Sequence, residues 1–157
     1  MFQKNYDKNE THAFQTLTIA IQAGKKTVFQ HLATTEGISQ WFPQLSLTKK
    51  EDEAFVEFDM GDGTFEKMSL LDYTTDQHIA FEWASGKVEF HLEDIQEGTK
   101  LTLKETLPLD FKALPQDFTG WYVQLKNIKA IVETDRQAKI NPDEINEVRA
   151  HVEEAIR

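Results

Sequence analysis

Cysteine is absent from this 157-residue chain, which excludes disulfides, thiolate nucleophiles and cysteine-ligated zinc. Positive charge is scarce: 17 Lys and Arg stand against 27 Asp and Glu, a formal net charge of -10 at pH 7. That balance argues against a nucleic-acid backbone or an anionic membrane surface as the main partner, because both reward clustered cations. No run of about 18 apolar residues occurs, so no membrane span is expected. The start, Met1-Phe2-Gln3-Lys4-Asn5-Tyr6-Asp7, lacks the apolar stretch of a signal peptide, and the expected location is cytoplasmic. A serine elbow, a phosphate-cradling glycine loop and a dinucleotide fingerprint are all missing, and no cofactor is expected. What remains is an ordinary globular composition, 39% hydrophobic and 28% charged, in a chain long enough for one domain with a real core.

Leu17, Ile19 and Ile21 alternate with Thr16, Thr18 and Gln22, the pattern of a half-buried strand. Lys25 to Ala33 carries Val28, Phe29 and Leu32 at helical spacing, and a second short helix ends before Pro43, which disfavours helical geometry at Phe42. From Gln44 to Leu107 strand follows strand. A two-residue turn at Ser85-Gly86 sets Trp83 against Val88, Phe81 against Phe90, Ile79 against Leu92 and His78 against Glu93. The hairpin around Glu97-Gly98 sets Leu92 against Leu103 and Phe90 against Glu105; the one around Glu51-Asp52 sets Leu47 against Val56 and Leu45 against Phe58. Apolar thus meets apolar on one face, which a one-residue slip would destroy.

Leu114 to Asp135 follows as a long helix whose stripe, Phe118, Trp121, Leu125, Ile128 and Val132, must be buried against that face. Gly120 inside it costs on the order of 1 kcal/mol relative to alanine, which predicts a close approach to the sheet or to Trp41-Phe42. Asn141-Pro142-Asp143-Glu144 has the chemistry of a helix start, and the stripe Ile145, Val148, Val152, Ile156 predicts a terminal helix on the surface of the body, with a dimer contact as the alternative. The organisation read from the sequence is a polar, loosely held segment 1-12, a domain 13-137 and an additional helix 138-157.

Several phrases carry a resemblance. Lys26-Thr27-Val28-Phe29, Thr35-Glu36-Gly37-Ile38-Ser39-Gln40-Trp41-Phe42, Gly98-Thr99-Lys100-Leu101-Thr102-Leu103 and Gly120-Trp121 with Leu125 resemble the START-like (SRPBCC) superfamily, in the branch related to the C-terminal domain of the activator of heat-shock protein 90 ATPase. The resemblance spans about residues 13 to 135. It implies an α+β helix-grip fold, a curved antiparallel sheet of about six or seven strands around the long helix, and a cavity between them that in various members takes lipids, polyketides or plant metabolites.

The first functional expectation is therefore an apolar or weakly polar small-molecule ligand in a cavity lined by Trp41, Phe58, Phe81, Trp83, Phe90, Trp121 and Leu125. Glu105 shares parity with Leu101, Leu103 and Leu107 and is the candidate polar anchor; the alternative is a bulge that turns it to solvent at the rim. The second expectation is an interaction protein whose partner is a chaperone. The third, a cyclase or hydrolase using Glu105 or Asp72 as acid or base, ranks last because no paired catalytic groups can be assembled. His78, His91 and Glu93 share the outer face, but as solvated strand residues, and no metal is expected there. The expected state is a monomer or weak dimer.

Overall fold

The computed structural model describes residues 2–157. Its elements are β1 (Phe2–Lys8), β2 (His12–Ile21), α1 (Lys25–Ala33), α2 (Thr35–Ile38), β3 (Leu45–Lys49), β4 (Ala54–Asp59), β5 (Phe65–Thr74), β6 (His78–Trp83), β7 (Gly86–Ile95), β8 (Gly98–Pro108), α3 (Leu114–Thr134) and α4 (Pro142–Ala155). One antiparallel sheet of 8 strands runs in the order β1-β2-β8-β7-β6-β5-β4-β3. The two short helices carry the chain from β2 to the far edge, and the meander returns until β8 closes on β2. This is the expected α+β helix-grip architecture, with eight strands instead of six or seven. No helix among the described residues is long and apolar enough to cross a membrane.

The additional strand corrects the reading of the first dozen residues as loosely held. β1 pairs along its whole length with β2, from Phe2 opposite Ile19 to Lys8 opposite Ala13. Its apolar side chains are Phe2 and Tyr6, Phe2 on Tyr122 at 4.9 Å and Tyr6 on His151 at 5.3 Å between ring centroids. An edge strand with two apolar residues four apart carries too little alternation to be recognised.

The β3–β4 register is the expected one, with Leu47 opposite Val56 and Leu45 opposite Phe58. The β6–β7 and β7–β8 hairpins are shifted by two residues from the expected register. Phe81 faces Val88, Ile79 faces Phe90 and His78 faces His91; Leu92 faces Leu101 and Phe90 faces Leu103. The first turn consists of Ala84 and Ser85, with Ala84 in a left-handed conformation at φ 51°, and Gly86 is the first residue of β7. Gly86 is needed in the strand rather than the turn, since a Cβ there would lie 1.8 Å from the Thr106 carbonyl oxygen. An even shift leaves every side chain on its expected face, so Ile79, Phe81, Val88, Phe90 and Leu92 are buried.

The short helix α2 lies almost backbone to backbone on α1. A Cβ on Gly37 would stand 2.2 Å from the Gln30 carbonyl oxygen, so only glycine permits this approach. Thr34 caps α2 by accepting from the Gly37 N–H at 3.0 Å, and Thr35 Oγ1 both donates to the Leu47 carbonyl and accepts from its N–H at 3.0 Å, tying the helix to β3. The result is Trp41, 3% exposed, with its indole N–H donating to the His31 carbonyl at 2.8 Å.

Helix α3 crosses the inner face with Leu114, Phe118, Trp121, Leu125, Ile128 and Ile131 buried. Helix α4 starts at the expected cap, Asn141 Oδ1 accepting from the Asp143 N–H at 2.8 Å, and buries Val148 and Val152 against α3 and β1. Truncating Trp121 to alanine removes the largest fully buried side chain and should cost about 3 to 5 kcal/mol in urea denaturation; an unchanged midpoint would remove α3's stripe as the organiser of the fold.

Candidate functional site

Between α3 and the sheet, aromatic side chains occupy most of the space that the sequence assigns to a cavity. Trp121 meets Trp83 at 5.1 Å, Phe42 at 5.9 Å, Phe90 at 6.1 Å, Trp41 at 6.2 Å and Phe81 at 6.5 Å between ring centroids. Phe58 closes the open end against Trp83 at 6.0 Å and Phe42 at 5.8 Å. Most of these contacts are tilted or edge-to-face, the arrangement that aromatic quadrupoles favour. Trp41, Phe81, Phe90 and Leu125 are core, whereas Phe58 and Trp83 are only half-buried.

Two shallow clefts remain on either side of Trp83. One, about 150 Å³, is lined by Phe42, Trp83, Asp117, Gly120, Trp121 and Gln124; the other, about 220 Å³, by Phe58, Met60, Glu66, Met68, Trp83, Ala84, Phe111 and Asp117. Gly120 overturns its expectation: a Cβ there would meet nothing within 4 Å. Glycine at this position keeps the mouth of the smaller cleft open instead of admitting the helix to the sheet.

Glu105 is 1% exposed, so the strand carries it inward as its parity implies. It lines neither cleft; Asp117, one helical turn before Trp121, lines both. Gln15 Nε2 donates to Glu105 Oε1 at 3.0 Å and to the Phe118 carbonyl at 3.2 Å, and the Trp83 indole N–H donates to Asp117 Oδ2 at 2.9 Å. Burial first, and then the hydrogen-bonded Asp117, push the Glu105 carboxyl well above the usual carboxylate range, against the opposing bond from Gln15. Glu105 Oε2 and Asp117 Oδ1 are buried and have no hydrogen-bond partner among the described residues. The Trp121 indole N–H is buried and has no acceptor among the described residues.

Gln15 and Asp117 were not singled out in the sequence. Gln15 shares parity with Ala13 and Leu17, and Asp117 precedes Trp121 by four, but nothing local says that these polar groups face one carboxyl across the core. Asp72 lies on the opposite face of the sheet from Glu105, paired with His78, so the two do not form one acid–base site.

On that outer face the shifted register changes the company of the histidines. Their rings stack at 4.1 Å, and Glu89 Oε1 lies 3.6 Å from His78 Nε2 and 3.9 Å from His91 Nε2. Glu93, the expected neighbour of His78, pairs instead with Lys100 at 2.9 Å.

Comparison with solved structures returns the same architecture. A conserved protein of unknown function, EF2215 from Enterococcus faecalis, superposes with a TM-score of 0.85 at 27% identity, covering 97% of this chain and 89% of that one. DynU16, from the dynemicin biosynthetic locus, gives a TM-score of 0.66 at 19% identity over 81% of this chain and 49% of its own. The Aha1 dimer from Colwellia psychrerythraea gives 0.65 at 16% identity over 77% and 96%. No curated protein matches the chain. Residues 22–133 match the family model described as activator of Hsp90 ATPase homolog 1-like protein, a span that holds the α1–α2 phrase, the meander and α3 together, and the chain belongs to that family.

Proposed function

We propose that the protein binds a weakly polar, flat small molecule of polyketide or flavonoid character at the seam between α3 and the sheet. Trp83, Trp121, Phe42 and Phe58 would form its walls and Asp117 its polar anchor, with Glu105 holding Asp117 from behind. The observation that carries this reading is the buried Trp121 indole N–H, left without an acceptor in the wall of a cleft that also presents Asp117. A ligand carbonyl would satisfy that donor, and a ligand hydroxyl would reach Asp117.

Size decides what must move. Pockets for such ligands measure about 300–1,000 Å³, more than either cleft offers alone. Trp83 is the shared wall, half-buried and joined to α3 by its bond to Asp117. Rotation of that side chain would join the clefts. The location of DynU16 in a biosynthetic locus is in keeping with small-molecule work on this fold.

A second reading, a chaperone-binding protein, is favoured by the family itself and by Met60 and Phe65, 52% and 60% exposed, at the β4–β5 hairpin. A heteronuclear NMR titration separates the two. Flavonoid-like, steroid-like and fatty-acid compounds should shift the Trp83 and Trp121 indole resonances saturably, and Gly120→Leu should abolish the effect by filling the smaller cleft. Silent indoles across the panel, with saturable shifts at Met60 and Phe65 on adding the chaperone, would transfer the function to the hairpin.

Gly120→Ala should do the reverse of a core mutation, raising stability by about 1 kcal/mol because helix propensity improves without a clash. A fall in the thermal midpoint would show that the cleft is tighter than described.

The raised pKa of Glu105 fixes a sign. Below about pH 4.5 both folded and unfolded chains hold this proton; as pH rises the unfolded chain releases it first, so stability falls until the folded carboxyl also ionises. Glu105→Gln keeps the neutral shape and should flatten the loss of stability as pH rises above about 4.5 in urea denaturation. An identical slope in the variant would mean that Glu105 is ionised in the folded state.

A further inference from the structure

We propose that His78, His91 and Glu89 bind a divalent cation of the zinc class on the outer face of the sheet, with Asp72 orienting His78. The inference is independent of the ligand reading above, since the sheet lies between the two places. β6 and β7 set His78 directly opposite His91, and Glu89 stands two residues before His91 on the same face. The three donor atoms lie within 4.8 Å of one another.

Zinc bonds of about 2.0–2.1 Å place tetrahedral ligands roughly 3.3 Å apart. The Glu89 oxygen, at 3.6 and 3.9 Å from the two Nε2 atoms, is already within a few tenths of an ångström of that spacing. The side chains need to close only slightly. Imidazole and carboxylate together suit zinc and its neighbours better than magnesium or calcium, which prefer an all-oxygen shell.

What surrounds the three donors separates them from ordinary strand surface. His78 Nδ1 is hydrogen-bonded to Asp72, two residues before Thr74, which is the cross-strand partner of His78. A proton on Nδ1 leaves the Nε2 lone pair free, the carboxylate–histidine arrangement that orients metal ligands. Both Nε2 atoms are buried and have no hydrogen-bond partner among the described residues. Two such buried, unpartnered nitrogens beside one carboxylate are costly unless something bridges them. The side chains of His78 and Glu89 are each only 20% exposed, and Lys87 lies 3.5 Å from Glu89 Oε2, which leaves Oε1 for the ion.

His78 and His91 also line an open groove of about 810 Å³ that carries Thr102 and Lys104. Three protein ligands leave a coordination position, and the groove makes it reachable by water or a small anion held by Lys104.

Untagged, chelator-treated protein titrated with zinc chloride in a calorimeter should bind one equivalent, and cobalt should give the visible absorption of a tetrahedral site. His91→Ala should abolish both signals, Asp72→Asn should weaken zinc by about 10 to 100-fold, and His31→Ala should change nothing. Long-range heteronuclear spectra of the wild type should show the His78 and His91 ring nitrogens moving together, a readout that needs no variant to fold. Absence of saturable binding, or binding that survives His91→Ala, overturns the site.

Discussion

The indole of Trp121 sets the distance between the long helix and the sheet. It is 2% exposed and touches rings from the turn after α2, from β6 and from β7. A chain of dependencies leads to it. Gly37 lets α2 settle on α1, the His31 carbonyl in the last turn of α1 then receives the Trp41 indole N–H, and Trp41 meets Trp121 edge-on. The phrase from Thr35 to Phe42 is therefore a packing instruction rather than a chemical motif. Aromatic contacts of this kind add about 0.5–1.5 kcal/mol each beyond their burial, and several converge on one ring.

Beside this apolar joint sits a polar one. Gln15 from β2 donates to Glu105 from β8, and Asp117 from α3 accepts from Trp83 of β6. An isolated buried carboxylate would be far more costly than a neutral, hydrogen-bonded carboxyl, so retention of the proton is what makes the position tolerable. The arrangement joins helix to sheet and presents Asp117 to the clefts, so structural and binding roles fall on adjacent atoms.

The faces of the sheet were legible in the sequence, as was the β3–β4 pairing; the pairings of β6 with β7 and of β7 with β8 were not. Phe81 and Phe90 alternate correctly whichever even register is chosen, because parity fixes the side and says nothing of the partner. Gly86 misled through its usual association with turns, whereas here it yields to the Thr106 carbonyl. That two-residue displacement is why His78 meets His91 and not Glu93. Glu105 was legible by parity, and Trp121 by periodicity. Gln15 and Asp117 were not, since the meaning of each lies in a contact with a distant element, Gln15 with Glu105 across 90 positions and Asp117 with Trp83 across 34. Gly120 is conspicuous in the sequence by its cost in a helix, but the open space beside it is visible only in the structure.

The pairing of β2 with β8 has a consequence for how the chain reaches this state. His12 lies opposite Pro108 and Ile21 opposite Thr99, so β2 waits for a partner synthesised some eighty residues later. Topologies closed by such distant contacts fold slowly. Until then β2, with Leu17, Ile19 and Ile21, is a strand with an open edge, the kind that recruits other chains. β1 is its hairpin neighbour and can pair within the first twenty residues, covering one of the two edges with a polar, sparsely apolar strand. The segment that contributes least to the core thereby acts as a local guard against misassembly while the distant partner is still being made.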